Sequence, residues 1–112
     1  MPSSIAERRF QALVASLAEK RGVSLGTAKK GFGSGSLTVD GRIFAMVSSG
    51  GDLVFKLPAE RVAALVSSRA ARAFDAGKGK PLKEWAVIEP SNRQWRRLAD
   101  EAREFVATPT RR

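Results

Sequence analysis

The stretch LTVDGRIFAMVSSGGDLVFKL, residues 37–57, decides the fold, because its side chains alternate between apolar and polar with a period of two. Two dipeptides interrupt it, Asp40-Gly41 and Gly50-Gly51. Such dipeptides tolerate positive φ and occupy two-residue hairpin turns. The stretch therefore predicts three antiparallel strands in a meander.

Two tight turns would also set the register of this meander. They pair Leu37 with Phe44, Phe44 with Leu57 and Met46 with Phe55, on the sheet face that packs against helices. The reverse face then carries four apolar side chains, those of Ile43, Ala45, Val47 and Val54.

That reverse face is more apolar than a sheet face in contact with water usually is. Two interpretations stay open. Either a helix or a loop covers the face, or Ile43, Val47 and Val54 form a surface for a protein partner or a homodimer.

Helical patterns flank the meander on both sides. Ser4 and Glu7 form a capping box, apolar residues follow at helical spacing, and Gly22 ends a first helix predicted over residues 4–20. Pro58 is a typical first helical residue, and it begins a short second helix that ends near Ser67.

The rest of the chain predicts two short strands and a last helix. The strands lie around residues 71–74 and 85–88, joined by DAGKGKPLKE, and the capping box of Ser91 and Gln94 begins the helix. The predicted order is α-β-β-β-α-β-β-α. This is one α+β domain, residues 1–112, with a five-stranded antiparallel meandering sheet packed by helices. We expect an ordered core from about residue 4 to residue 107 and a flexible tail, TPTRR.

The missing residue types restrict the chemistry. The chain has no His, Cys or Tyr, so the commonest general base, the thiolate nucleophile and the preferred zinc ligands are absent. The carboxylates show no spacing that a catalytic mechanism requires. We therefore predict no enzymatic activity, no metal and no cofactor.

Net charge is the strongest overall feature of the sequence. Twenty Lys and Arg against 11 Asp and Glu give +9 and an isoelectric point near 11.1, which favours a nucleic-acid partner when the charge is clustered. Two glycine-rich segments carry lysines that would form one phosphate-contacting patch if they met: Lys29, Lys30, Lys78, Lys80 and Lys83. The alternative is that glycine serves turn geometry there and the lysines stay solvated.

Neither glycine-rich segment matches a nucleotide-binding motif. GFGSGSLTV has Ser36 where a kinase loop has its third glycine, and it leads into a predicted strand, whereas a P-loop leads into a helix. In GKGKP, Pro81 follows the lysine. Both segments therefore predict turns.

The last helix carries Arg93, Arg96, Arg97 and Arg103 among Asp100, Glu101 and Glu104. Opposite charges three or four residues apart favour a solvated helix surface with internal ion pairs. Trp85 and Trp95 occupy positions expected to face the core.

No apolar run approaches the ~20 residues that a membrane-spanning helix needs, and the N-terminus lacks the apolar block of a signal peptide. We expect a cytoplasmic protein without membrane contacts.

The run GFGSGSLTVDGRIFAMVSSGGDLVFKLPAERVAAL, followed by KGKPLKEWAVI and a closing amphipathic helix, resembles the N-terminal domain of the TfoX/Sxy competence-regulator family. The resemblance extends from the first helix to Val106. It implies a bacterial α+β domain with a meandering antiparallel sheet. Small basic proteins of the MmcQ/YjbR type, which have a DNA-binding-like fold, are the family most easily confused with it.

Full-length TfoX proteins carry a second, helical domain that is absent here, so the resemblance does not transfer the competence-regulating role. Three functions follow in order of preference. The first is a non-enzymatic regulatory or interaction domain that acts on a protein partner or as a homodimer. The second is a nucleic-acid-associated domain that uses the lysine-rich loops, and the third is a binder of a small anionic ligand.

Overall fold

A computed structural model of the chain describes residues 5–17, 19–20, 22–26, 35–48, 51–75, 82–89 and 91–107. This part of the chain holds three helices, α1 (Ile5–Leu17), α2 (Ala59–Ser67) and α3 (Trp95–Ala107). Its strands are β1 (Val23–Gly26), β2 (Gly35–Val39), β3 (Arg42–Val47), β4 (Leu53–Lys56), β5 (Ala71–Phe74) and β6 (Leu82–Ile88).

The strands form one sheet of six, in the order β1-β2-β3-β4-β6-β5, and every neighbouring pair is antiparallel. The predicted α+β class and antiparallel sheet are confirmed, but the predicted number of five strands is wrong. The additional strand is β1, which pairs along its whole length with β2. Its four residues, VSLG, are too few to show a period of two.

All three helices pack on one face of the sheet and share a single apolar core with it. The helices contribute Phe10 and Leu13 of α1, Val62 of α2, and Leu98 and Ala102 of α3, all of them buried. Helix α3 lies over β2 to β4, α1 over β3 and β4, and α2 over β5 and β6. Val54 and Val87 are buried too, but they lie outside this core, on the opposite face. That face has no helix among the described residues, and we call it the helix-free face.

The turn between β2 and β3 is the predicted two-residue turn. Asp40 and Gly41 have φ of 53° and 82°, and Val39 pairs with Arg42 on either side of them. Immediately beyond the turn the register shifts. Thr38 pairs with Ile43, whereas Leu37 pairs with Ala45, so β3 contains one extra residue. This is a β-bulge at Phe44, and it turns both Phe44 and Ala45 toward the core.

The turn between β3 and β4 is one residue longer than predicted. The Ser48 N–H donates to the Asp52 oxygen and the Gly51 N–H donates to the Ser48 oxygen, both at 2.8 Å, which encloses a three-residue loop. Gly51 has φ of 86°, as expected where such a loop closes. Val47 therefore pairs with Leu53 instead of Val54.

These two changes correct the predicted register. Phe55 pairs with Ala45 instead of Met46, and Met46 pairs with Val54 on the helix-free face. A shift of one residue moves every side chain of a strand segment to the other face. Ala45 and Val47, predicted to lie on the reverse face, are consequently core residues.

Across the described ranges, no helix is long and apolar enough to cross a membrane. The predicted flexible tail, residues 108–112, lies outside the described residues.

Candidate anion-binding site

Most of the predicted lysine patch falls outside the described residues. Lys29, Lys30, Lys78 and Lys80 lie there, while Lys83 is exposed near the start of β6. The first two lysines lie between β1 and β2, and the others lie in or just after the connection between β5 and β6.

The topology separates the strands that flank these two connections. β1 and β5 are the opposite edges of the sheet, about five strand spacings or roughly 24 Å apart. β1 ends and β2 begins at the end of the sheet that carries the β3–β4 turn. β5 ends and β6 begins at the opposite end of the sheet. The strand ends that flank the two lysine segments therefore lie at diagonally opposite corners of the sheet. The glycine-rich stretch leads into strand β2, as predicted, and not into a helix.

The predicted apolar surface is divided between the two faces. Ile43, which is 39% exposed, and Val54 lie on the helix-free face, where Met46 and Val87 extend the apolar row. Val47 is 1% exposed in the core and Val54 is 0% exposed on the helix-free face, so of the three predicted residues Ile43 alone is exposed.

The two tryptophans also differ in position. Trp95 packs against the core, as predicted, with the Arg9 guanidinium 5.1 Å and the Arg96 guanidinium 4.7 Å from its ring centre. Burial lowers the pKa of Arg9 from its ordinary value. Trp85 lies instead on the helix-free face beside Lys56, whose ammonium is 5.5 Å from the ring centre. Its predicted core position was therefore wrong.

The predicted ion pairs within α3 are present only in part. Arg103 pairs with Asp100 at 3.4 Å and with Glu104 at 3.8 Å. Glu101 pairs with Arg61 of α2, whose Nε lies 2.9 Å from Oε1. The three carboxylates of α3 are thus engaged by Arg103 and Arg61, and by none of the arginines near the start of the helix.

The remaining arginines gather where α3 begins. Arg93, Arg96 and Arg97 are exposed and form no ion pair with a described carboxylate, and neither does Arg69, which follows α2. We call these four residues the arginine surface. Like charges this close repel one another. The surface therefore presents an uncompensated positive charge.

Part of this surface lines a cavity that is open to solvent, since several of its lining residues are exposed. About 540 Å³ of space lies between the end of α2 and the start of α3, lined by Arg61, Arg69, Arg93, Ser68, Ser91 and Asn92. Sequence reasoning did not find Arg69, because this residue lies between a helix and a strand with no other basic residue beside it in sequence. Arg93 comes close to it only through the tertiary fold.

Asn92 joins the elements that surround this cavity. Its Nδ2 donates to the Ala70 oxygen at 3.1 Å, and its Oδ1 accepts from the Gln94 N–H at 2.7 Å. The Asn92 backbone oxygen accepts from Arg9 Nη1 at 3.3 Å. One buried side chain therefore links the start of β5 to the start of α3. The predicted capping box had assigned the Gln94 N–H to the Ser91 side chain. Asn92 accepts this hydrogen bond instead.

Comparisons of the chain with protein-family models, curated proteins and solved structures found no match. The resemblance to TfoX N-terminal domains therefore rests on the short motifs of the sequence, and it stays a prediction.

Proposed function

We propose that this protein is a non-enzymatic domain that binds nucleic acid through phosphate contacts. The observation that carries the proposal is the arginine surface, whose four guanidiniums have no described carboxylate within ion-pair distance. A phosphate backbone relieves the repulsion among such cations and releases its own counterions on binding. Guanidinium groups also match phosphate geometry better than ammonium groups do.

The distribution of charge along the chain supports the same partner. The glycine-rich stretches 26–35 and 76–83 contain Lys29, Lys30, Lys78, Lys80 and Lys83 and no Asp or Glu. These lysines then supply further phosphate contacts.

A binding role without catalysis agrees with the chemistry available. The chain lacks His, Cys and Tyr, and the residues that the structure describes contain no group of three or more His, Cys, Asp or Glu placed to hold a metal ion. Several carboxylates are already engaged in ion pairs, as in the Arg61–Glu101 and Arg72–Glu89 contacts.

The test is a titration of the protein with duplex DNA, single-stranded DNA and RNA at two salt concentrations. Wild type should bind at least one of them, with an affinity that falls steeply with salt. In Arg96→Gln/Arg97→Gln the slope of log affinity against log salt should fall by about 0.9 for each duplex phosphate that the variant no longer neutralises.

A matched control removes the same charge at the opposite end of the sheet. Lys20 and Arg42 are exposed there, and neither forms an ion pair with a described carboxylate. Lys20→Gln/Arg42→Gln should retain most of the affinity and most of the salt slope. Equal losses of affinity in the two double variants would show that net charge, and not the arginine surface, causes the binding. No binding at low salt would refute the proposal.

A second candidate is the regulatory domain that the TfoX resemblance implies, acting on a protein partner or as a homodimer. The observation that favours it is the exposed part of the helix-free face, where Ile43 is exposed and Met46 and Trp85 are partly exposed beside the buried Val54 and Val87. Sedimentation velocity over a hundredfold concentration range tests the homodimer. A dimer that Ile43→Ser weakens supports it, and a strict monomer removes it.

A further inference from the structure

We propose that the cavity between α2 and α3 is a binding site for a phosphate monoester, held by Arg69 and Arg93. The inference deepens the proposed function, and it depends on that function only for the nucleic-acid source of the phosphate. Arg69 and Arg93 belong to the arginine surface and line the cavity, where a single phosphoryl group would bind, whereas Arg96 and Arg97 are outside the lining and would contact the diester backbone.

The charge of the lining matches a dianion. Three guanidiniums face the cavity, but Glu101 neutralises that of Arg61 through two hydrogen bonds of 2.9 and 3.2 Å. Arg69 and Arg93 have no such partner among the described carboxylates, so two positive charges remain. A phosphate monoester carries close to two negative charges at neutral pH and has three terminal oxygens, whereas a backbone diester carries one charge.

Arg69 occupies a backbone position that normally belongs to glycine. Its φ is 67°, and it ends α2 in a Schellman motif, in which the Ala70 N–H donates to the Leu65 oxygen at 2.9 Å and the Arg69 N–H donates to the Val66 oxygen at 3.0 Å. Glycine adopts this conformation at the lowest cost. An arginine here places its side chain at the cavity wall at the expense of local stability, which agrees with a binding role.

The cavity walls are held before any ligand arrives. Asn92 uses both ends of its amide to tie Ala70 to Gln94, and the Ser68 hydroxyl donates to the Leu65 oxygen at 3.1 Å. The Gln94 backbone N–H is already bonded to Asn92, and the lining residues given above all precede α3 or belong to α2 and its end, so the site depends on the arginine side chains. At about 540 Å³ the space exceeds a phosphate group and admits part of the molecule that carries it.

Another cavity lacks these features. About 230 Å³ of space between the start of α1 and the β3–β4 turn is lined by Ile5, Ala6, Leu53 and Ile88, with Arg9 and Asp52 as its charged residues. Its two charges are of opposite sign. It therefore shows no preference for an anion, and the phosphate site is assigned to the cavity between α2 and α3.

The first experiment follows amide chemical shifts by NMR while sodium phosphate replaces sodium chloride at constant ionic strength and pH. We expect saturable shifts at residues 68–70 and 91–94, and at least a fivefold loss of phosphate affinity in Arg69→Gly and in Arg93→Gln. Arg42→Gln, which removes one charge at the far end of the sheet, should bind like wild type. Shifts confined to other residues, or unchanged affinity in both cavity variants, would overturn the inference.

The second experiment separates the sources of the phosphate. A single-stranded oligonucleotide with a 5′-phosphate is compared with the same oligonucleotide with a 5′-hydroxyl. If the 5′ end of a nucleic acid is the ligand, the phosphorylated oligonucleotide should bind at least fivefold more tightly than the hydroxyl form. This preference should disappear in Arg69→Gly. Equal binding of the two forms, with inorganic phosphate still saturating the cavity, supports the site and assigns it to a free phosphorylated molecule. If no nucleic acid binds at low salt, the proposed function fails while the phosphate titration still decides the inference.

Discussion

Arg61 of α2 and Glu101 of α3 meet in a two-pronged ion pair, with Nε–Oε1 at 2.9 Å and Nη2–Oε2 at 3.2 Å. The two residues are 40 positions apart in sequence, and both side chains are about one-third exposed. The pair joins two neighbouring helices and at the same time neutralises one of the three arginines that line the α2–α3 cavity. We therefore expect stability and anion affinity to be coupled at this contact.

Replacing Glu101 with Gln should move stability and phosphate affinity in opposite directions. Loss of a partly exposed bidentate pair should lower the free energy of unfolding by about 0.5–1 kcal/mol. The freed Arg61 should raise phosphate affinity about two- to fivefold, through one more charge at the cavity. Urea unfolding and a phosphate titration measure the two effects. Asp100→Gln, which removes a negative charge from α3 without freeing Arg61, is the control, and an affinity gain of the same size there would contradict the coupling.

Arg69→Gly should stabilise the fold while it weakens phosphate binding. Relief of the positive φ predicts a gain of about 0.5–1 kcal/mol in the free energy of unfolding. Arg69→Ala removes the same side chain but keeps a Cβ in the left-handed conformation, so it should show the affinity loss without the gain in stability. Thermal and urea unfolding of both variants provide the measurement. A glycine variant less stable than the alanine variant would disprove the assigned backbone role.

Asn92→Ala should destabilise the protein by about 1–3 kcal/mol, because the Ala70 oxygen and the Gln94 N–H would lose their partner in a buried place. Asn92→Asp keeps the acceptor for Gln94 but sets a carboxylate oxygen against the Ala70 oxygen, so it should also destabilise the protein in urea unfolding. The added carboxylate should also reduce phosphate affinity beside Arg93. Full stability of the alanine variant would show that this residue does not hold the cavity walls together.

Threonine substitutions at Val47 and Ile43 test the observed register directly. Val47→Thr places a hydroxyl in the core and should cost about 1–3 kcal/mol in the free energy of unfolding. Ile43→Thr lies on the helix-free face, where the side chain is 39% exposed, and should change stability by no more than about 0.5 kcal/mol. The register predicted from two tight turns gives similar costs at both positions. Comparable unfolding midpoints for the two variants would favour that register.

Gly51→Ala should lower stability by about 1 kcal/mol through backbone strain alone. Gly51 has φ of 86°, and an added Cβ would meet nothing within 4 Å. Gly51→Asn is the matched variant, since asparagine tolerates the left-handed conformation better than alanine, and it should recover part of the loss. A loss in the asparagine variant as large as that in the alanine variant would point to a cause other than φ.

Local patterns in the sequence predicted most elements because their causes are local. The apolar spacing of residues such as Phe10 and Leu13 predicted α1, and Asp40-Gly41 predicted a turn with positive φ at both residues. The site was predicted less well. Lysine segments drew attention through their glycines, whereas Arg69 and Arg93 share a cavity only because the fold brings the end of α2 next to the start of α3.

By itself the sequence determined the α+β class, the antiparallel meander, the positions of the three helices and the excess of positive charge, since each depends on residue type and near-neighbour spacing. Only the tertiary structure decided the sixth strand, the faces of Met46 and Val47, and the pairing of Glu101 with Arg61. The physical reason is that one extra residue, at the Phe44 bulge or in the β3–β4 loop, changes the local free energy of the chain very little. Whether the extra residue occurs depends on how much apolar surface the whole sheet and the helices bury together. No short stretch of sequence determines that total.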